Sequence, residues 1–112
     1  MPKQGTIVLV PFPFSDLSAT KVRPAVVLSS VKHGDDIVFA FVSSGSARSE
    51  NFDILIKPSD QNFSKTGLKT NSVIRVAKLA TLDRKIVLGE IGSLGPEHLK
   101  QVKTSLKKLF LI

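Results

Sequence analysis

The feature that most constrains the fold is a series of three short runs in the first half of the chain. Each is rich in β-branched or aromatic residues, each is of strand length, and each is bounded by turn formers. They are residues 6–12 (Thr-Ile-Val-Leu-Val-Pro-Phe), 23–30 (Arg-Pro-Ala-Val-Val-Leu-Ser-Ser) and 36–43 (Asp-Ile-Val-Phe-Ala-Phe-Val-Ser). Their close succession predicts a meander, with a hairpin through residues 31–35, where Gly34 supplies conformational freedom. Further strands are expected at 52–56 and 72–77. In the second of these, Val73, Arg75 and Ala77 alternate with Ile74 and Val76, so one face is chemical and the other apolar. Residues 57–71, with Pro58, Asp60, Asn62 and Gly67, read as a polar connection.

The end of the chain changes period. Gly95, Pro96 and Glu97 form a helix start, with proline in the first turn and an acid where the helix dipole favours one. Leu99, Val102, Leu106 and Leu109 then recur at spacings of three and four, while Lys100, Lys103, Lys107 and Lys108 fall on other faces. The expected fold is mainly β: a small, strongly curved antiparallel sheet or SH3-like barrel, with a C-terminal α-helix packed on one side. No βαβ alternation is visible. The 112 residues suit one domain, 1–112, and its long apolar strands call for cover of the kind a homodimer provides.

Charge narrows the choice of partners. Sixteen Lys and Arg against nine Asp and Glu give +7, which suits nucleic acid or an acidic protein and is equally met by lysines that only confer solubility. The absence of cysteine excludes disulfides and thiolate metal sites and fits a reducing cytosol. No apolar run approaches the roughly 20 residues of a membrane span, and the opening residues lack the apolar core of a signal peptide, so a cytoplasmic protein without a membrane partner is expected.

Most enzymatic constellations are missing. There is no glycine-rich phosphate loop, no cysteine nucleophile and no histidine–carboxylate set at metal-ligand spacing, so neither a metal nor another cofactor is expected. His33, in a turn, and His98, in the first helical turn, read as ordinary surface residues. Arg23 opens a strand beside Pro24, where its guanidinium could bind two phosphodiester oxygens or form a surface ion pair. Ser43 and Ser44 end the third strand with hydroxyls, and Gly45 would let a backbone approach closely. Arg75 is open between an ion pair and an RNA contact, Lys21 could steer or clamp a phosphate backbone, and Phe14 could stack on an unpaired base. Phe12 reads as core.

The order of these pieces is more specific than any one of them. A Gly-x-Ile-Val-x-Val-x-Phe strand from Gly5 to Phe12 comes first, followed by Arg-Pro-Ala-Val-Val-Leu-Ser from Arg23 to Ser29. A third strand ends in hydroxyls, and an Ile-Arg-(x)5-Thr-Leu-Asp segment ends at Asp83. Together they resemble the PemK/MazF toxins of type II toxin-antitoxin systems over essentially the whole chain. The resemblance implies a dimeric barrel that cuts single-stranded mRNA at specific sequences without metal. The ribose 2′-OH would attack the adjacent phosphate, leaving a 2′,3′-cyclic phosphate and a 5′-OH. It places Arg23 and Ser43 at the scissile phosphate as catalytic residues and implies a cognate acidic antitoxin; Lys21, Ser44, Arg75 and Phe14, singled out above on their own chemistry, are the expected RNA contacts.

The chain departs from the family pattern in three places. Ser43 stands where the family has Thr, Ala77 stands where some members carry an acid two residues after the late arginine, and Asp16 is the only acid in the loop before Arg23. These departures keep a non-enzymatic alternative open, a toxin-fold protein that binds RNA or a topoisomerase without cleavage. Topoisomerase-binding relatives use a C-terminal motif containing Trp, and this chain has no Trp. A plain barrel acting only as a protein-interaction module is the third alternative.

Overall fold

The computed structural model describes residues 2–11, 21–30, 34–48 and 51–112. Among the described residues there are six strands: β1 (Thr6–Pro11), β2 (Val22–Ser30), β3 (Asp36–Ser44), β4 (Ile54–Ile56), β5 (Ser72–Asp83) and β6 (Gly89–Ser93). They form one antiparallel sheet in the order β4-β5-β3-β2-β1-β6, followed by the α-helix α1 (Pro96–Phe110). The expected meander is β1-β2-β3. The sheet is curled and open, with β4 and β6 at its edges, and register breaks in the β1–β6, β2–β3 and β3–β5 ladders supply the curl by adding residues to one strand of each pair.

Both faces of the sheet carry buried side chains, which explains why the strands read as near-continuous apolar runs. Ile7, Val26, Ala40, Val42, Ile74 and Val76 form one core with Val102 of α1. Val8, Val10, Ala25, Val27, Ile37, Phe39 and Phe41 form a second core on the opposite face. The helical stripe behaves as its spacing demands: Val102 is fully buried, and Leu99, Leu106 and Leu109 pack against the first core. Leu111 ends the helix in the left-handed conformation, its N–H donating to the carbonyls of Lys107 and Lys108.

Some boundaries differ from the sequence expectation. β4 starts at Ile54, so Phe52 and Asp53 precede it, and β5 runs on to Asp83. β6 was not anticipated, because Gly89 and Gly92 interrupt its apolar pattern. The connection after β4 is less polar than expected. It holds a 3₁₀ turn, Phe63–Thr66, and both Phe63 and Leu68 pack on the first core. Gly67 ends that turn at φ +74, and a Cβ there would lie 2.1 Å from the Ile91 carbonyl oxygen, so only glycine lets the turn sit on β6.

His98 is also corrected. It is not a surface residue but is 6% exposed, with Nε2 3.1 Å from Asp60 Oδ2. Asp60 Oδ2 also accepts from the Lys57 backbone N–H at 2.9 Å. The pair therefore ties the first turn of α1 to the turn after β4.

Candidate functional site

Strand register collects the candidate residues on the face turned away from α1. Arg23 is paired with Val10 and Arg75 with Phe41, and both partners belong to the second core. Ser43 follows Phe41 by two residues in β3 and so shares its face. The β2–β3 ladder begins at Ala25↔Phe41, which leaves Arg23 and Ser43 each two residues beyond it on neighbouring strands. Side chains standing past the end of a ladder point toward a place where another molecule can reach them.

Arg75 and Ser43 are in direct contact. The Nε–H of Arg75 donates to Ser43 Oγ at 3.0 Å, while its Nη1 forms an ion pair with Asp53 Oδ2. Asp53 is 3% exposed, whereas the Arg75 side chain keeps 26% exposure. A carboxylate this deeply buried needs a cation or several donors, and Arg75 meets that need. Arg75 is thereby held in one orientation while its side chain stays partly exposed. Because Ser43 Oγ accepts from Arg75, its own hydrogen is available for a further acceptor.

The sequence reading did not single out Asp53. The available signal was an acid between Phe52 and Ile54, inside a segment otherwise read as a buried strand; such an acid calls for a cationic neighbour. Ala77 does not continue the Arg75 row as simple alternation would have it. The ladder passes from Phe41↔Arg75 directly to Ala40↔Leu79, so Val76, Ala77 and Lys78 form an insertion in which Ala77 is exposed. The carboxylate that touches Arg75 is Asp53, reached across the sheet rather than along the strand.

The remaining candidates are spread around this cluster. Ser44 is exposed at the end of β3, opposite Ser72. Gly45 follows at φ +138 with its N–H donating to Asn71 O at 3.0 Å, and a Cβ there would meet nothing within 4 Å. Its φ is one that favours glycine, and the space beside it is open. Lys21 is exposed immediately before β2. Phe14, with Phe12 and Asp16, lies outside the described residues, as does His33. Among the described residues no three His, Asp or Glu side chains converge as a metal-ligand group, and no helix is long and apolar enough to cross a membrane.

Fold and cluster together define a small basic protein: a curled antiparallel sheet backed by one helix, with arginines and a serine hydroxyl gathered on the opposite face. The chain belongs to the PemK-like, MazF-like toxins of type II toxin-antitoxin systems, whose pattern it matches over residues 3–110. Its fold is similar to that of MazF from Deinococcus radiodurans, with a TM-score of 0.75 at 20% identity, covering 99% of this chain and 97% of that one. It is similar also to an endoribonuclease from a mycobacterial species in complex with its cognate antitoxin, with a TM-score of 0.74 at 17% identity, covering 100% and 97%. The Mycobacterium tuberculosis toxin MazF-mt6 gives 0.73 at 15% identity, covering 96% and 97%. No curated protein sequence matches the chain.

Proposed function

We propose that this chain is a sequence-specific, metal-independent endoribonuclease toxin that cleaves single-stranded mRNA and is neutralised by a cognate acidic antitoxin. In this reading residues 1–112 act as one domain, in the cytoplasm, as a homodimer. The observation that carries it is the gathering of Arg23, Ser43 and Arg75 on one face of a chain that belongs to a toxin family.

The reaction asks little of the protein. The ribose 2′-oxygen bonds to the adjacent phosphorus, the P–O5′ bond breaks, the 2′-OH loses its proton and the departing O5′ gains one. No water enters, and the products are a 2′,3′-cyclic phosphate and a 5′-OH. Negative charge builds on the phosphoryl oxygens, where a guanidinium is well suited to stabilise it. Arg23 is assigned that role. Ser43 donates its hydrogen to a phosphate oxygen, oriented by the bond it accepts from Arg75. Arg75 contributes further positive charge, held in place by Asp53. Lys21, Ser44 and Phe14 contact the RNA on either side of the scissile phosphate.

A second reading, RNA binding without cleavage, is favoured by one observation: Ala77 offers no proton acceptor, and the Asp53 carboxylate is engaged with Arg75. Topoisomerase binding has less support in a chain without Trp. The two main readings separate when purified protein is incubated with mixed-sequence single-stranded RNA in EDTA and the new ends are mapped. Cyclic phosphates and 5′-OH ends are expected. RNA that is bound but intact points to the second reading, and RNA neither cut nor bound removes both.

A further inference from the structure

Ser105 is a buried polar residue that neither the core nor the candidate site has so far used. It stands on the inner side of α1, three residues after the fully buried Val102, and is itself 8% exposed. A serine inside a helix commonly turns its hydroxyl back to the carbonyl four residues earlier, here that of Gln101. Ser105 instead donates its one hydrogen out of the helix, to the Phe52 carbonyl at 2.7 Å. The acceptor belongs to the residue immediately before Asp53, whose carboxylate holds Arg75.

Strand pairing shows why that bond matters. The β4–β5 ladder runs from Ile56↔Ser72 to Ile54↔Ile74 and stops there. One further step in the same register sets Asp53 opposite Arg75, and Arg75 is in turn opposite Phe41, two residues from Ser43. Asp53, Arg75 and Ser43 thus form a row across three neighbouring strands, with Asp53 one residue past the end of its own ladder. β4 is three residues long and lies at the sheet edge, so pairing alone leaves the start of this row weakly held. The Ser105 bond fixes the backbone at that point, together with the packing of the Phe52 side chain on the first core.

We propose that Ser105 is a positioning residue for the candidate site: its bond to the Phe52 carbonyl sets Asp53, which orients Arg75, which orients Ser43. The inference deepens the proposed function and rests on it for what the aligned groups do to RNA. The row ends on a hydroxyl assigned to a phosphate oxygen, and a shift of about 1 Å in such a group can cost on the order of 10²-fold in rate.

The first readout uses the full chain and no RNA. The Nε–H of Arg75, assigned in NMR spectra by its loss in Arg75→Lys, is protected from exchange with water while it donates to Ser43. Its exchange should quicken about tenfold in Ser105→Ala, as local opening of the row becomes easier. Leu109→Ala, which removes packing from the same helix and leaves the Phe52 bond in place, should keep the wild-type exchange. In an Asp53→Asn background Ser105→Ala should add nothing, because the two act in series. The second readout is single-turnover cleavage, where Ser105→Ala should lower the rate at saturating RNA about tenfold and leave the half-saturating concentration unchanged. Unchanged Arg75 exchange in Ser105→Ala, equal quickening in Leu109→Ala, or a full added effect on Asp53→Asn would overturn the proposal. So would quickened exchange with an unchanged cleavage rate. A wild-type protein that cuts no RNA would instead count against the nuclease reading, and the exchange measurements would still decide whether Ser105 sets the row.

Discussion

Asp53 and Arg75 depend on each other unequally. The Asp53 side chain has 1% of its surface exposed and Arg75 has 26%, so removing the arginine takes a cation away from a buried charge, while removing the carboxylate leaves a cation that water can still reach. Arg75→Ala should therefore lower stability by about 3 kcal/mol. Asp53→Asn, which keeps an acceptor of the same shape, should lower it by about 1 kcal/mol. Urea unfolding at constant m-value measures both, and equal or reversed costs would contradict the asymmetry. The sequence showed half of this pair. Alternation placed Arg75 on a distinct face and left it between an ion pair and an RNA contact. Its partner lay 22 residues away, just before another strand, which no local pattern encodes. Ser43 was singled out as a strand-end hydroxyl, but that it accepts from Arg75 follows only from strand order.

Elements whose side chains decide their own conformation were easiest to read. β1, β2 and β3 are buried on both faces, so their apolar runs stand out, and α1 carries a regular stripe with proline in its first turn. β6 was invisible because it is held by pairing with β1 and not by its own pattern: Gly89 and Gly92 have no side chain to pack, and the ladder breaks between Ile7 and Val8. The Phe63–Thr66 turn was missed for a similar reason, its two apolar neighbours being scattered among polar residues. Gly67 joins these two elements. At φ +74 and against the Ile91 carbonyl, Gly67→Ala combines backbone strain with a clash and should cost about 3 kcal/mol. Gly45→Ala meets open space, bears only the strain of φ +138, and should cost about 1 kcal/mol. Thermal unfolding of the two variants checks the difference; matching losses would mean that packing between the turn and β6 matters less than described.

For the molecule as a whole, the sheet separates the helix from the candidate site. Arg23, Ser43 and Arg75 occupy the face away from α1, and Ser105 of the helix is linked to Arg75 through Phe52 and Asp53. The overall +7 charge favours an anionic partner, and it alone did not say which surface takes the anion. Family membership and the location of Arg23 assign RNA to the face away from α1 in the proposed function. The direct test is single-turnover cleavage of one single-stranded RNA in EDTA by excess wild-type protein, by Arg23→Ala and by Lys65→Ala, a control at an exposed lysine outside the cluster. The account predicts cleavage by wild type and control at similar rates, and a loss of about 10² to 10³ in rate for Arg23→Ala, the scale of removing one group that stabilises transition-state charge. Cleavage by Arg23→Ala at the wild-type rate, or cleavage that appears only when a divalent metal is restored, would contradict it.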